Sequence, residues 1–185
     1  NEIWGYTTKG IAKSNEEMNA HLSTTDQSTI GSNWAAGDIM YEDTNNDKQI
    51  NDGARTITDH GDLKVIGNST PRFLWGIDLN ASWKGFDIRA FFQGVMKRDA
   101  WLGGSWGSLE YYFGATNSGE WWATGITAVK DYYRDANTWS VANGYQKANQ
   151  DAFLPRATFS NKNERCQTRY LMNAAYMRLK NFQAG

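Results

Sequence analysis

The chain has 185 residues, a formal net charge of −1 and an aromatic content of 14% that includes nine tryptophans. This length can hold one domain with a real core, and the scattered lysines and arginines give no support to binding of nucleic acid or anionic lipid. The mean hydropathy of −0.67 excludes a membrane-spanning helix, but not strands that turn half of their residues to a lumen. The tryptophans suit either membrane girdles or stacking platforms for sugars.

The first part of the chain is predicted to hold a strand, a helix and a loop. Residues 1–11 are rich in aromatic and β-branched side chains, which favours a short strand. Ser14 and Glu17 have the spacing of a capping box, so a helix should follow over Asn15–Leu22. Residues 23–36 are rich in serine, threonine and glycine and are predicted to be a loop.

An acidic stretch at 43–53 has oxygen-bearing side chains at every second position, as a calcium-binding loop does. Calcium takes six to eight oxygen ligands, so the spacing has a physical reason. The spacing makes the loop a candidate site for Ca²⁺ or Mg²⁺, although no cofactor is required. The candidate ligands, at loop positions 1, 3, 5, 7 and 9, are Asp43, Asn45, Asp47, the backbone carbonyl of Gln49, and Asn51.

Two positions depart from the calcium loop. Lys48 stands where a glycine normally allows the sharp turn, and Ala54 stands where a bidentate carboxylate belongs. Asp52, Asp59 or Asp62 could replace that carboxylate only if the chain folds back. The alternative is a metal-free turn that caps itself through hydrogen bonds from its aspartate and asparagine side chains.

Two segments near the middle of the chain, 73–83 and 86–95, alternate apolar and polar side chains with period two. Lys84-Gly85 between them suits a tight turn, so the pattern predicts an antiparallel hairpin. Each arm has about ten residues, the length of a tilted strand that crosses a bilayer. A hairpin of a soluble sandwich would show the same alternation.

For a hairpin that crosses a membrane, the alternation assigns one face to lipid and the other to the lumen. The residues predicted to face lipid are Trp75, Ile77, Leu79, Ile88 and Phe92. Those predicted to face the lumen are Asp78, Asn80, Ser82 and Arg89.

Residues 97–168 contain too many glycines, asparagines and serines for a regular sheet, and they are dense in aromatic side chains. We expect one helix in this segment, over 126–134. Aromatic residues are common at the energetic centres of interfaces, so this segment supplies candidate contacts to a substrate or partner. The candidates are Trp101, Trp106, Tyr111, Tyr112, Trp121 and Trp122. Mutual packing of these rings is the alternative.

Several runs of the chain resemble the SusC/RagA family of TonB-dependent outer-membrane transporters, and they occur in the same order as in that family. They are Gly-Asp-Ile-Met-Tyr-Glu-Asp-Thr-Asn-Asn-Asp at 37–47, Ile-Gly-Asn-Ser-Thr-Pro-Arg-Phe at 66–73, Trp-Lys-Gly-Phe-Asp-Ile-Arg-Ala-Phe-Phe-Gln-Gly-Val at 83–95, Lys-Arg-Asp at 97–99, and Arg-Tyr-Leu-Met-Asn-Ala-Ala-Tyr-Met-Arg-Leu-Lys-Asn at 169–181. The chain has no signal peptide and stops just inside an apparent strand, so we expect an internal segment from the C-terminal part of the barrel domain.

The resemblance implies an all-β fold within a 22-stranded transmembrane barrel of the Gram-negative outer membrane. It implies cargo of oligosaccharide or peptide, energy from the TonB complex through parts outside this chain, and a SusD-like surface lipoprotein as lid. Residues 1–71 would then be an extracellular segment and 72–96 the transmembrane hairpin. Residues 97–168 would be a long extracellular loop and 169–185 the start of the next strand.

The sequence contains no catalytic constellation, so we do not expect an enzyme. His21 and His60 lie in different segments without metal-ligand spacing and are expected to be ordinary surface or loop residues. Cys166 is a single cysteine, and we expect it to be inert. The alternative function is a soluble, β-rich glycan-binding module with a turn that resembles a calcium loop, and detergent dependence would separate it from a barrel segment.

Overall fold

A computed structural model of the chain describes residues 1–101, 127–158 and 160–185. The regular secondary structure of the described ranges is mostly strand, with few helical turns, which agrees with the predicted all-β class. None of the helices in them combines the length and the apolar character needed to span a membrane. The strands are β1 (Glu2–Gly5), β2 (Thr8–Ile11), β3 (Ile39–Tyr41), β4 (Lys64–Asn68), β5 (Leu74–Trp83), β6 (Phe86–Val95), β7 (Asp99–Ala100), β8 (Met172–Asn173) and β9 (Tyr176–Ala184).

The chain divides into two compact units. The first unit holds Asn1–Ile3, Val65–Trp101 and Leu171–Gly185, and the second holds Trp4–Lys64 and Leu102–Tyr170. Antiparallel strands β5, β6 and β9 form the main sheet of the first unit, with β6 in the middle. Short two-stranded pairs join β1 to β4, β2 to β3, and β7 to β8.

The predicted antiparallel pairing of the hairpin arms is confirmed. The register runs without interruption from Leu74 opposite Val95 to Trp83 opposite Phe86. Lys84 and Gly85 form the two-residue turn, with φ angles of 48° and 90°. Positive φ at both positions belongs to the turn type whose twist matches that of paired strands, and a glycine adopts it without a steric cost.

Strand β9 pairs with β6 through a β-bulge. Phe91 lies opposite Asn181 while its neighbour Phe92 lies opposite Leu179, so Lys180 is the additional residue. The bulge shifts the alternation by one residue. As a result, Leu179 and Phe182 fall on the same face of the sheet although they are three positions apart.

The second unit is built around short strands, one regular helix and several turns. Helix α1 covers Asn15–Leu22, as predicted, and the Ser14 hydroxyl accepts the Glu17 N–H at 3.2 Å. The Glu17 carboxylate reaches back to the N–H of Lys13 at 2.6 Å, which completes the cap. One apolar cluster of this unit contains Ala12, Met18 and Met40, with Leu22 and Trp34 packed against it.

The helix predicted over 126–134 is wrong in its length. A 3₁₀ turn covers Thr127–Lys130, and the chain then extends so that Tyr133 N–H donates to the carbonyl of Leu154 at 3.0 Å. Arg134 exchanges two backbone hydrogen bonds with Asn149. These tertiary bonds outweigh the local helical periodicity. A four-residue helix α2 follows at Trp139–Ala142, and 3₁₀ turns cover Asn161–Asn163 and Thr168–Tyr170.

Candidate functional site

One face of the three-stranded sheet is apolar on all three strands, and its large side chains are exposed. Alternation and register place them side by side, with exposed fractions between 48% and 70%. They are Ile77, Leu79, Trp83, Phe86, Ile88, Met177, Leu179 and Phe182. A contiguous apolar surface of this kind marks a site of contact with another apolar phase or molecule.

The opposite face of the sheet is mainly polar. The Arg89 guanidinium binds the Asp78 carboxylate through two nitrogens, with Nε 3.1 Å from Oδ1. Asn80 lies beside this pair, and Arg178 and Gln183 continue the polar row on β9. The hairpin residues predicted to occupy opposite faces do so in the observed register.

Close approach of the strands is visible at Gly94. A Cβ atom at this position would lie 2.6 Å from the ring of Trp75, which is its cross-strand partner, and 2.3 Å from the carbonyl oxygen of Tyr176. The glycine therefore lets the indole lie flat across the strand. This packing keeps the sheet surface continuous at one end of the hairpin.

In the acidic loop, side-chain oxygens accept bonds from the loop's own backbone. Asp43 Oδ1 accepts the N–H of Asn46 at 2.7 Å, and Oδ2 accepts the N–H of Lys48 at 2.8 Å. The Gln49 N–H donates to Asp47 at 2.8 Å and lowers the pKa of that carboxyl. Lys48 has a φ of 69°, the left-handed conformation for which a calcium loop uses glycine. The bonds in the first part of the loop are thus of the side-chain-to-backbone kind that a self-capping turn uses.

The loop departs from a calcium-binding loop at the twelfth position, where Ala54 supplies no carboxylate. The chain does fold back, since the Asp62 N–H donates to the Asn51 carbonyl at 2.8 Å. The fully buried Asp62 carboxylate, however, accepts the N–H of Thr44 at 2.7 Å and that of Asn51 at 2.9 Å. It therefore fastens the two ends of the loop together. Within the described ranges, no group of three or more histidine, cysteine or acidic side chains is placed to hold a metal.

A buried ionic network that the sequence analysis missed lies in the second unit. The Asp38 carboxylate is fully buried and binds Arg156 Nε and Lys162 Nζ, each at 2.8 Å. Lys162, only 2% exposed, also donates to the carbonyl of Asn33 at 2.8 Å. Burial opposes ionisation of Asp38, but its hydrogen bonds from Arg156, Asn163 and Lys162 outweigh this and lower its pKa. The partners are more than 100 residues apart, so no local pattern indicated them.

His21 is not the surface residue that the sequence predicted, because it is 8% exposed. Its Nε2 lies 2.9 Å from Oε1 of the fully buried Gln27, which also accepts the N–H of Tyr41 at 2.6 Å. An amide oxygen only accepts hydrogen bonds, so Nε2 carries the proton of the neutral ring. Burial lowers the pKa of His21. His60 packs its ring against Trp4, with the ring centroids 5.5 Å apart.

Of the six aromatic contact candidates, Trp101 is partly buried. The other five, Trp106, Tyr111, Tyr112, Trp121 and Trp122, lie outside the described residues. A different aromatic pair is exposed in the second unit. Trp139 and Tyr145 stack with ring centroids 5.3 Å apart and are 71% and 73% exposed. The run Asp-Ala-Asn-Thr at 135–138, a turn-forming pattern just before Trp139, is the signal that could have indicated an exposed segment here.

Cys166 lies in partly buried surroundings, and burial raises its pKa to about 11. The thiol is therefore protonated at neutral pH and is a poor nucleophile.

Comparisons with known proteins relate the chain to TonB-dependent receptors. The chain is 30% identical over 127 residues to TonB-dependent receptor P3 of Formosa agariphila. The aligned part is 67% of this chain and 10% of that receptor, so the chain spans about a tenth of the length of its relative. No family model matches the chain.

Proposed function

We propose that this chain is part of a TonB-dependent outer-membrane transporter of the SusC/RagA type, which imports oligosaccharides or peptides into the periplasm. The observation that carries the proposal is the three-stranded sheet with one exposed apolar face and one polar face. This is the surface that a barrel wall requires, because lipid takes the outer face and a water-filled lumen takes the inner face.

Strand length supports the same proposal. Strands β5 and β6 have 10 residues each and β9 has 9, which matches the span of a tilted strand across the hydrocarbon core. The free edges of β5 and β9 would pair with neighbouring strands of the barrel, since an open sheet edge is not tolerated in lipid. The similarity to a TonB-dependent receptor is independent support.

In this proposal, the second unit and the aromatic segment lie at the cell surface. There the aromatic residues at 101–122 contact a SusD-like lipoprotein or the cargo, because tryptophan and tyrosine bury large areas with few rotamers to restrict. Energy would come from the TonB complex. Alanine at Trp101, Trp106, Trp121 or Trp122 should reduce association with the lipoprotein or uptake while barrel assembly stays intact. Loss of the folded barrel, or unchanged uptake, would favour mutual packing of the rings.

A Ca²⁺ or Mg²⁺ ion in the acidic loop is a secondary part of the proposal. Asp43, Asn45, Asp47, the Gln49 carbonyl and Asn51 would supply oxygens, and the ion would order the loop without taking part in transport. Because Asp62 is engaged with Thr44 and Asn51, fewer ligands remain than calcium usually takes. We therefore expect weak binding.

Cysteine labelling of the intact protein in outer-membrane vesicles tests the membrane assignment. On a Cys166→Ser background, Leu79→Cys should react with a membrane-soluble maleimide and be protected from a charged one. Asn80→Cys, the adjacent residue on the other face, should react with the charged reagent. Equal reaction of both sites with the charged reagent, from a protein that stays monomeric without detergent, would establish the soluble glycan-binding module instead.

A further inference from the structure

The second unit contains a surface pocket of about 270 Å³ that the proposed function does not use. It is lined by both polar and aromatic side chains, among them Asn15, Tyr133, Asp135, Asn137 and Arg156. Tyr133 is 2% exposed, and its hydroxyl donates to the carbonyl of Lys13 at 2.7 Å. The pocket therefore has a fixed aromatic side chain in its wall.

Internal hydrogen bonds hold the polar side chains of the pocket in place. Asp135 Oδ1 accepts the N–H of Asn137 at 3.0 Å and both the N–H and the hydroxyl of Thr138. Asn15 Oδ1 accepts the N–H of Ala36 at 2.9 Å. Arg156 is fixed through Nε and Nη2.

Other polar groups of the same side chains remain available to a ligand. In the part of the chain that the structure describes, no partner binds Asp135 Oδ2, the side-chain amide of Asn137 or Arg156 Nη1. The pocket thus offers an acceptor and several donors on planar groups, which is the set that hydroxyl groups require, because each hydroxyl both donates and accepts.

The charges around the pocket favour an uncharged ligand. The Arg156 guanidinium is already paired with the buried Asp38 carboxylate, so it adds little attraction for an anion. The single remaining carboxylate, Asp135, shares one of its oxygens among three internal donors. An anionic ligand would therefore lose its hydration without meeting an unpaired positive charge, and a cation would meet only this one carboxylate, part of whose charge the internal donors already satisfy.

An exposed aromatic platform follows the pocket directly in the chain. Thr138 lines the pocket and Trp139 is the next residue, with Tyr145 stacked on it. The backbone turn that brings the two rings together is fixed, since the Ser140 carbonyl accepts the N–H of Tyr145 at 2.8 Å. An aromatic ring exposed in this way presents a flat apolar surface, one residue along the chain from the pocket lining.

We infer that this pocket and the Trp139–Tyr145 platform form a binding subsite for a neutral oligosaccharide. One sugar ring occupies the pocket, whose volume of about 270 Å³ lies just below the usual range for sites that hold a whole drug-sized ligand. The next ring lies with its C–H face on the platform. The inference rests on the proposed function only for its biological use, as the place where cargo is held.

The test is calorimetric titration of the intact protein in detergent with a panel of neutral hexasaccharides. Cellohexaose, laminarihexaose, xylohexaose, mannohexaose and maltohexaose are the probes, and oligogalacturonate and oligoalginate are the charged comparison. At least one neutral probe should bind, and Trp139→Ala should weaken its binding about tenfold. Asn137→Ala, which removes no internal side-chain bond, should weaken it about three- to tenfold. Trp83→Ala is the matched control, since Trp83 is 70% exposed but lies in the sheet.

Three results would overturn the inference: no neutral probe binds at millimolar concentration, only acidic probes bind, or Trp139→Ala and Asn137→Ala both bind as the wild type does. Loss of lipoprotein association in Trp139→Ala, with sugar binding unchanged, would also overturn it and make the platform a protein contact. If the cysteine labelling fails while sugar binding depends on Trp139, the transport proposal is wrong and the subsite stands.

Discussion

The main sheet of the first unit and the interior of the second unit distribute polarity in opposite ways. In the sheet, large apolar side chains such as Leu79 and Phe182 are 54% and 60% exposed. In the second unit, Asp38 and Lys162 are 0% and 2% exposed, and each is bound by several partners. Side chains that water would favour are thus buried in one region, and side chains that water would exclude are exposed in the other.

In the proposed transporter, the contrast corresponds to two different surroundings. An apolar sheet face is unfavourable in water and favourable in a hydrocarbon phase, which also requires that every backbone group be paired. Buried charges, in contrast, are tolerated when hydrogen bonds and opposite charges replace their hydration. The stability of the second unit therefore depends on complete polar networks in its interior.

The largest expected effect comes from breaking the buried network. Asp38→Ala leaves Lys162 buried without its carboxylate partner, and removal of one member of a buried ion pair costs about 3–5 kcal/mol. Hydrogen exchange of the Ala35 and Ile39 amides should report the loss as a lower opening free energy. Both amides lie within the network, since they donate to Asp38 and Asn163.

The exposed pair Lys13–Asp151 provides the control, because its side chains are 63% and 84% exposed. Asp151→Ala should leave the same amides unchanged, since solvent screens an exposed pair. If the two alanine variants behave alike, the interior of the second unit is not held by its charges.

The second effect concerns the sheet. Leu79→Lys, near the middle of the strand, should destabilise the protein folded in a bilayer by about 2–4 kcal/mol. Lysine at Asn80 should be mild, because this side chain belongs to the polar face. Denaturant unfolding of the protein in lipid vesicles measures both. Equal tolerance of lysine at the two positions would contradict the assignment of the faces.

These two regions also differ in how far the sequence predicts them. The hairpin register followed from period-two alternation and the Lys84-Gly85 turn, because strand geometry is local. In β9, Leu179 and Phe182 are three positions apart instead of two or four, which is the spacing that the bulge produces. The Asp38 network and the pocket join residues more than 100 positions apart, such as Asp38 and Arg156, and a single sequence carries no local pattern for such contacts. The prediction of a helix over 126–134 was wrong for the same reason, because backbone bonds to Leu154 and Asn149 decide the structure of this segment.

The third effect is a pH dependence that separates the second unit from the sheet. Burial lowers the pKa of His21 from its ordinary value of 6.5, so the folded state binds its proton less readily than the unfolded state. The contribution of neutral His21 is therefore fully present above pH 6.5 and is lost as the pH falls below it toward the folded-state pKa. The protection factor of the Tyr41 amide, which is its exchange slowed relative to the unfolded chain at the same pH, should fall over this range, because this N–H donates to Gln27.

His21→Gln serves as the matched variant, because its amide can still donate to Gln27 but does not titrate. The variant should lose most of the pH dependence near pH 6.5. Amides of the sheet, such as that of Leu79, should not respond in either protein. A pH profile that is the same in wild type and variant would assign the effect to another group.

The smallest effect tests the acidic loop. Lys48 has a φ of 69°, a conformation that costs a residue with a side chain about 1–2 kcal/mol and that glycine adopts freely. Part of this gain is offset by the greater backbone entropy of glycine in the unfolded chain, so Lys48→Gly should stabilise the loop by about 1 kcal/mol or less. Gln49→Gly is the control. Gln49 does not have a positive φ, so glycine at this position should destabilise the protein.

Calcium titration of the same variants extends the test. Glycine at position 6 is the residue that a calcium loop uses, so Lys48→Gly should bind calcium more tightly than the wild type. A stabilised loop with no calcium binding in either protein would leave a self-capped turn, fastened by Asp62, as the role of this segment.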